Sequence, residues 1–194
     1  MGRKRTICRE ALLDAVARVV TRDGATRLTL EAVATEAGIS KASVLYDFGN
    51  KSALIRALIE RKVAEKEGDA RRVAESLGGA PNAVVHGRIA LAADPVSNQD
   101  RAMTFGLLAA LAQEEELCEP IRQAYSDVLC DIRSTSQNPR GAMLAFLALE
   151  GLRSMEWLGL HSWAPEERAT LLSEIGWLVE QRPDAPRMSK RSTE

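Results

Sequence analysis

The sequence is short of aromatic residues, cysteine and histidine, and each shortage removes a class of protein. Three Phe, three Trp and two Tyr amount to 4% of 194 residues. Sheets draw on aromatic and β-branched side chains, so a chain dominated by Ala and Leu points to helix. The three cysteines, Cys8, Cys118 and Cys130, cannot all pair within one chain. With no signal peptide visible, a reducing cytoplasm is expected. Cys118 and Cys130 are expected on one helix, where their spacing puts them roughly 18 Å apart, too far for a disulfide. His86 and His161 are the only histidines and have no Cys or acid cluster at ligand spacing, so no metal site is expected. No apolar run reaches the ~18–20 residues of a membrane span. There is no Ser-His-acid order with a nucleophile turn, no G-x-G-x-x-G and no phosphate-binding P-loop. The chain therefore carries no enzyme signature and no recognisable cofactor site.

What is present is a helical pattern with an uneven charge. Hydrophobic residues make up 45%, so the chain can build a sizeable core, as one large domain or a small one plus a larger. Nothing alternates with period two for long enough to form a sheet. The expected architecture is all-α with about nine helices. Net charge is −1. Residues 1–56 hold ten Lys/Arg and six Asp/Glu, 10 − 6 = +4, and residues 57–194 hold 16 and 21, giving −5. A basic first quarter on an acidic remainder suits a head that faces a polyanion and a body that stays off it.

Residues 1–5, MGRKR, form a basic arm. It is either a frayed terminus or a phosphate or minor-groove contact. Thr6 can cap a helix to Asp23, with Leu12, Ala15, Val16, Val19 and Val20 on one stripe and Gly24 as its stop. Thr29 can cap a second helix to Ala37. Gly38 permits a turn with φ > 0, Ile39 plugs it, and Ser40 caps a third helix to about Tyr46. Two short helices about a Gly-containing turn make a helix-turn-helix. The second opens Ser-Lys-Ala-Ser, short and polar or cationic residues that can approach the floor of a major groove. Phe48 closes this small core. Asn50 caps the next helix, whose free N–H groups, with Lys51 at the first position, can hold a phosphate.

That helix runs from Lys51 to about Ala74. From Arg61 it turns charged and reads as a solvated connector, and Gly68 is a possible break. Further helices are expected over about 82–93, 98–112, 114–134, 140–160 and 165–181. The last begins with Pro165 and two glutamates, a helix N-terminus signal. The boundaries are placed at 1–56 for the head, 57–182 for the body, and 183–194 for a disordered tail.

The run ISKASVLYDFGNKSAL resembles the signature of TetR-family transcriptional repressors, nearest the subgroup reading S-K-G-G-L-L-Y-H-F-P-S-K-E-A-L. The match spans Leu28–Leu54. Ala148–Leu152 and Glu156–Leu160 are similar to that subgroup's penultimate helix, which often has Asp where Glu150 stands. The resemblance implies a homodimer that binds a palindromic double-stranded DNA operator and is released by a small-molecule effector. Carried across by position, it assigns DNA contact to Thr29, Ser40, Lys41, Ala42, Ser43, Tyr46 and Lys51. Lys41 and Ser43 would lie at or near the bases, and Thr29, Ser40, Tyr46 and Lys51 at phosphates. Asp47 departs from the usual His or Tyr. It can accept from a cytosine amino group or pair with a nearby Arg.

For the body, the resemblance implies a ligand pocket, with Met103, Phe105, Tyr125, Glu150, Arg153 and Trp157 as candidates. Ordinary core packing is the alternative for the apolar members. Glu150 and Arg153 stand at i,i+3 on an apolar helix, as a surface pair or as ligand-orienting groups. The segments 140–160 and 165–181 are long and apolar enough to pair with a second copy as a four-helix bundle, or to serve a monomer core. Two other functions remain open from the sequence. One is a redox-responsive regulator using a cysteine. The other is an all-helical enzyme or carrier with a vestigial DNA head.

Overall fold

The structure is a computed structural model that describes residues 8–183. The basic arm, the Thr6 cap and the tail beyond Pro183 lie outside the described residues. Nine α-helices and no strand occur among those described. They are α1 (Arg9–Asp23), α2 (Leu30–Ala37), α3 (Lys41–Phe48), α4 (Lys51–Ser76), α5 (Ala83–Leu91), α6 (Asn98–Gln113), α7 (Glu119–Thr135), α8 (Pro139–Trp157) and α9 (Pro165–Val179). Two 3-10 segments, Ala25–Arg27 and Glu115–Cys118, stand before α2 and α7.

Local chemistry sets most of these ends. Thr29, Ser40, Asn50 and Ser97 each accept a backbone N–H of the first turn of α2, α3, α4 and α6. Proline opens α7, α8 and α9 at their first turns, where its missing N–H costs nothing. Pro120 also corrects one expectation. It starts α7 at Glu119, so Cys118 ends the preceding 3-10 segment and does not share a helix with Cys130. None of the three cysteines is paired.

Two apolar cores follow from these faces. The first gathers Leu12, Val16, Val19 and Val20 of α1, Val33 of α2, Val44 and Phe48 of α3, and Leu54, Ile55 and Leu58 of α4. It also takes Met103 and Ala110 from α6, so α6 closes one side of the head. The crossing is tight at Gly106, where a Cβ would lie 2.7 Å from the Val20 carbonyl oxygen. The second core joins α5, α7, α8 and α9 through Val85, Ile132, Phe146, Leu149, Ile175 and Val179.

The long helix α4 connects the two. It runs unbroken through Gly68, and its charged half, expected as a solvated connector, is packed along one side and exposed along the other. Ala70 is buried there, and Gly87 of α5 lies so close that its Cβ would sit 3.1 Å from the Ala70 carbonyl oxygen. Small residues let α5 press onto this half, and three of its charges, Arg61, Lys66 and Glu67, find partners on other helices. Arg61 reaches back to Asp14 of α1 at 2.7 Å. No helix among the described residues is long and apolar enough to cross a membrane.

Candidate functional site

The head presents one face of α3. Gly38 takes φ +68°, a left-handed conformation that Gly adopts without steric cost, and this turns the chain between α2 and α3. Val44 and Phe48 point inward, while Lys41, Ala42, Leu45, Tyr46 and Asp47 are exposed. Tyr46 is 91% exposed, more than packing against its own fold would leave. Leu45 also joins this outward face, a residue not singled out from the sequence.

Several head side chains already have intramolecular partners. Lys41 Nζ donates to Glu31 Oε1 at 2.5 Å, joining α3 to α2. Ser40 Oγ accepts the Ser43 N–H at 3.1 Å and lies 2.9 Å from Ser43 Oγ. Thr29 Oγ1 accepts the Ala32 N–H at 3.0 Å. Lys51 Nζ donates to the Thr26 carbonyl at 2.7 Å, which ties the start of α4 to the first 3-10 segment. Arg18 and Arg22 of α1 both bind Glu36 of α2, at 2.6 and 3.1 Å, and hold its carboxyl below the usual range. Asp47 forms no ion pair among the described residues, so its carboxylate is left to solvent. Over residues 9–56 the balance is seven bases to six acids, 7 − 6 = +1. The remaining positive charge of the head belongs to Arg3, Lys4 and Arg5, outside the described residues.

The body holds a polar cluster at the edge of its apolar frame, with Tyr125 and Lys66 partly exposed. Tyr125 of α7 donates to Glu150 Oε2 of α8 at 2.5 Å. Lys66 of α4 lies 4.0 Å from Glu150 Oε1 and 5.8 Å from the Tyr125 ring centroid. Arg88 of α5 is buried, donates twice to Glu67 of α4 and lies over the Phe146 ring at 5.9 Å. Burial holds the Lys66 ammonium below the usual lysine range. Burial and the bond to Glu150 push the Tyr125 phenol up. Two atoms of the cluster are buried without a partner, Glu150 Oε1 and Arg88 Nε.

A recess of about 60 Å³ opens among Lys66, Glu67, Arg88, Tyr125 and Phe146. It adjoins a cleft of about 380 Å³ between α4, α5 and α7, which shares Val63, Glu67, Arg88, Ala124 and Val128 with it.

The six expected pocket residues therefore separate. Tyr125 and Glu150 meet, and Arg153 is near enough for its charge to act on both Tyr125 and Lys66. Met103 is buried in the first core, against the head, because α6 crosses α1. Phe105 is 47% exposed on α6. Trp157 stands at the last residue of α8 and, like Met103 and Phe105, does not line the recess or the cleft. Sequence reasoning missed Lys66, Glu67 and Arg88. Arg88 had a signal, since it is the only charge in the α5 run AVVHGRIAL.

The outer side of the body is apolar. Leu144, Leu147, Met155 and Leu158 form one exposed stripe along α8 and just beyond it, and Trp177 of α9 is 65% exposed. A depression of about 580 Å³ lies between α9 and the α5–α6 connection, lined by Ile89, Pro95, Trp163 and Leu172 among others.

Two family descriptions match the chain. Residues 12–58 match "Bacterial regulatory proteins, tetR family", and residues 82–179 match "Tetracyclin repressor-like, C-terminal domain". No curated protein matches the sequence. Among solved structures, SCO7518 from Streptomyces coelicolor A3(2) is similar at TM-score 0.70 and 19% identity, over 89% of this chain and 98% of that one. SCO1917 from Streptomyces coelicolor A3, described as a member of the TetR family, is similar at TM-score 0.61 and 18% identity, over 86% and 96%. The multidrug binding protein EbrR, solved with malachite green, is similar at TM-score 0.66 and 18% identity, over 89% and 98%. At these identities the neighbours speak for the fold, while the two family matches together span the head and nearly all of the body. The chain belongs to the TetR family of bacterial regulatory proteins and is a DNA-binding transcriptional regulator.

Proposed function

We propose that this regulator is a cytoplasmic homodimeric repressor that binds a palindromic operator and leaves it when a small molecule enters the body. The observation that carries the reading is the course of α4. Its first turn supports the head at Lys51, and its Lys66 and Glu67 line the recess between α4, α5, α7 and α8. A molecule bound there acts on the helix that sets head position. EbrR, of the same fold, has been solved with ethidium and with malachite green, which fits a ligand site in such a body.

In this reading α3 enters the major groove. Lys41, Ala42 and Ser43 lie over the bases, and Thr29, Ser40, Tyr46 and Lys51 reach phosphates. The exposed stripe Leu144, Leu147, Met155 and Leu158, with Trp177, packs against its copy as a four-helix bundle. Tyr125, Glu150 and Arg153 serve the ligand, together with Lys66, Glu67 and Arg88. The ligand shifts the heads only by the difference in its affinity for the two head spacings.

The test is direct. Sequences bound by the full chain are selected from random DNA, and the enriched operator is used to screen small molecules for release. An inverted repeat and a releasing ligand are expected. Failure to enrich any DNA would reject the reading.

A further inference from the structure

We infer that the effector is an aliphatic amine with an apolar body, and that its ammonium group takes the place of Lys66 beside Glu150. This rests on the ligand-responsive reading above. The Glu150 carboxylate is only half satisfied. Glu150 Oε2 accepts the Tyr125 hydroxyl, while Oε1 is buried without a hydrogen-bond donor. Its nearest cation, Lys66 Nζ, stands at 4.0 Å, within range of attraction but too far for a hydrogen bond. A buried carboxylate oxygen without a donor is costly, and a charged donor is the group that relieves it most.

The recess already accommodates such a donor. Lys66 is a primary ammonium on a four-carbon stem, and it lies near both the Tyr125 ring and Glu150. Its side chain is still 40% exposed, so it can swing to solvent. The adjoining cleft supplies the apolar wall, with Val63, Ala64, Ala74, Val84 and Val128. Its charged lining is Glu60, Glu67, Asp127 and Asp131 against Arg71 and Arg88, 2 − 4 = −2.

A ligand anion meets a less suitable site. It would stand beside the Glu150 carboxylate, and Arg88 is already bound to Glu67. Arg153 and, in the cleft, Arg71 are the local cations without an ion pair among the described residues, and the acids Glu60, Glu67, Asp127 and Asp131 outnumber the cleft's two arginines. Release of Lys66 from Glu150 removes an α4–α8 attraction, which gives the ammonium a route to the helix that carries the head.

Three molecules of the same length separate the charges: 4-phenylbutylamine, 4-phenylbutanol and 4-phenylbutyrate. Each is titrated calorimetrically into the full-length protein, and each is then tested for release of the selected operator. The amine is expected to bind at least about tenfold more tightly than the alcohol, a difference well within reach of one charged hydrogen bond. Glu150→Gln is expected to remove that preference, and Lys66→Met, which removes the resident competitor, to tighten amine binding. Circular dichroism melting of both variants checks that the fold persists.

Equal binding of amine and alcohol, preference for the butyrate, weaker amine binding in Lys66→Met, or no binding of the amine would each overturn the assignment. If the butyrate or the alcohol releases the operator, the ligand-responsive reading stands and only the amine is rejected. If the ligand-free protein binds no operator, the reading beneath it fails instead.

Discussion

Lys41 Nζ and Glu31 Oε1 are 2.5 Å apart, so the first residue of α3 is held by an acid of α2 before any DNA is met. The bond holds the Glu31 carboxyl below its usual range. Both side chains are more than half exposed, so the pair adds little to stability. Its consequence is for the proposed DNA contact, in which Lys41 must leave Glu31 to reach a base. Glu31→Gln is expected to raise operator affinity. Lys41→Ala is expected to lower it by ~1–3 kcal/mol and to blur sequence preference. Fluorescence anisotropy on the operator and on single-base variants measures both.

Lys51 should behave differently. Its ammonium is anchored on the Thr26 carbonyl at the edge of the head, with two of its three donors still available. Lys51→Ala is expected to weaken binding to all sequences alike and to reduce the salt slope by about one ion. A loss of specificity equal to that of Lys41→Ala would contradict this division.

The proposed homodimer pairs through the stripe along α8. Leu147 is 56% exposed in the single chain, between Leu144 and Gly151 on the same face. Leu147→Glu would place a charge where two copies meet. Sedimentation is expected to show a monomer, and operator affinity should fall with it. A dimer that survives Leu147→Glu unchanged would move the interface elsewhere.

Arg168 tests the body's stability. It is buried, binds Glu156 at 2.6 Å, and donates to the carbonyls of Ala92 and Ala93 at 2.6 and 2.9 Å. These bonds close the C-terminal end of α5 onto α9. Arg168→Met leaves the largely buried Glu156 without its partner and is expected to cost about 3 kcal/mol, read as a lower Tm. The double variant Arg168→Met/Glu156→Leu should recover much of the loss, because no charge is then stranded.

Tyr125 gives a pH dependence. Its raised phenol pKa means that folding favours the protonated form. The stability it contributes is full below the unfolded phenol pKa of about 10 and is lost as pH rises through the higher folded value. Alkaline melts of Tyr125→Phe should therefore lose the corresponding slope. Ultraviolet titration should show that the native protein keeps Tyr125 un-ionised well past the usual tyrosine range.

The head was largely legible in the sequence because its signals are local. Gly38, Ser40 and Asn50 act on backbone atoms within a few residues, and each does in the structure what its type suggests. The body was legible as helices but not as a site. Lys66 and Glu67 looked like solvated charge because their partners, Glu150 and Arg88, lie on helices far along the chain. Met103 and Phe105 were pocket candidates through the family resemblance, with core packing as the alternative, and apolarity alone does not say which core a helix faces. Gly106 decided that, by letting α6 press on α1 and carry Met103 into the head.

One measurement tests the central claim most directly. The full-length protein is bound to a random DNA pool, and the retained sequences are read together with the stoichiometry of the complex. The account predicts an inverted repeat with half-sites about 34–36 Å apart, or one turn of duplex, occupied by paired chains. Retention of single, unrepeated sites by one chain, or no enrichment at all, would contradict it.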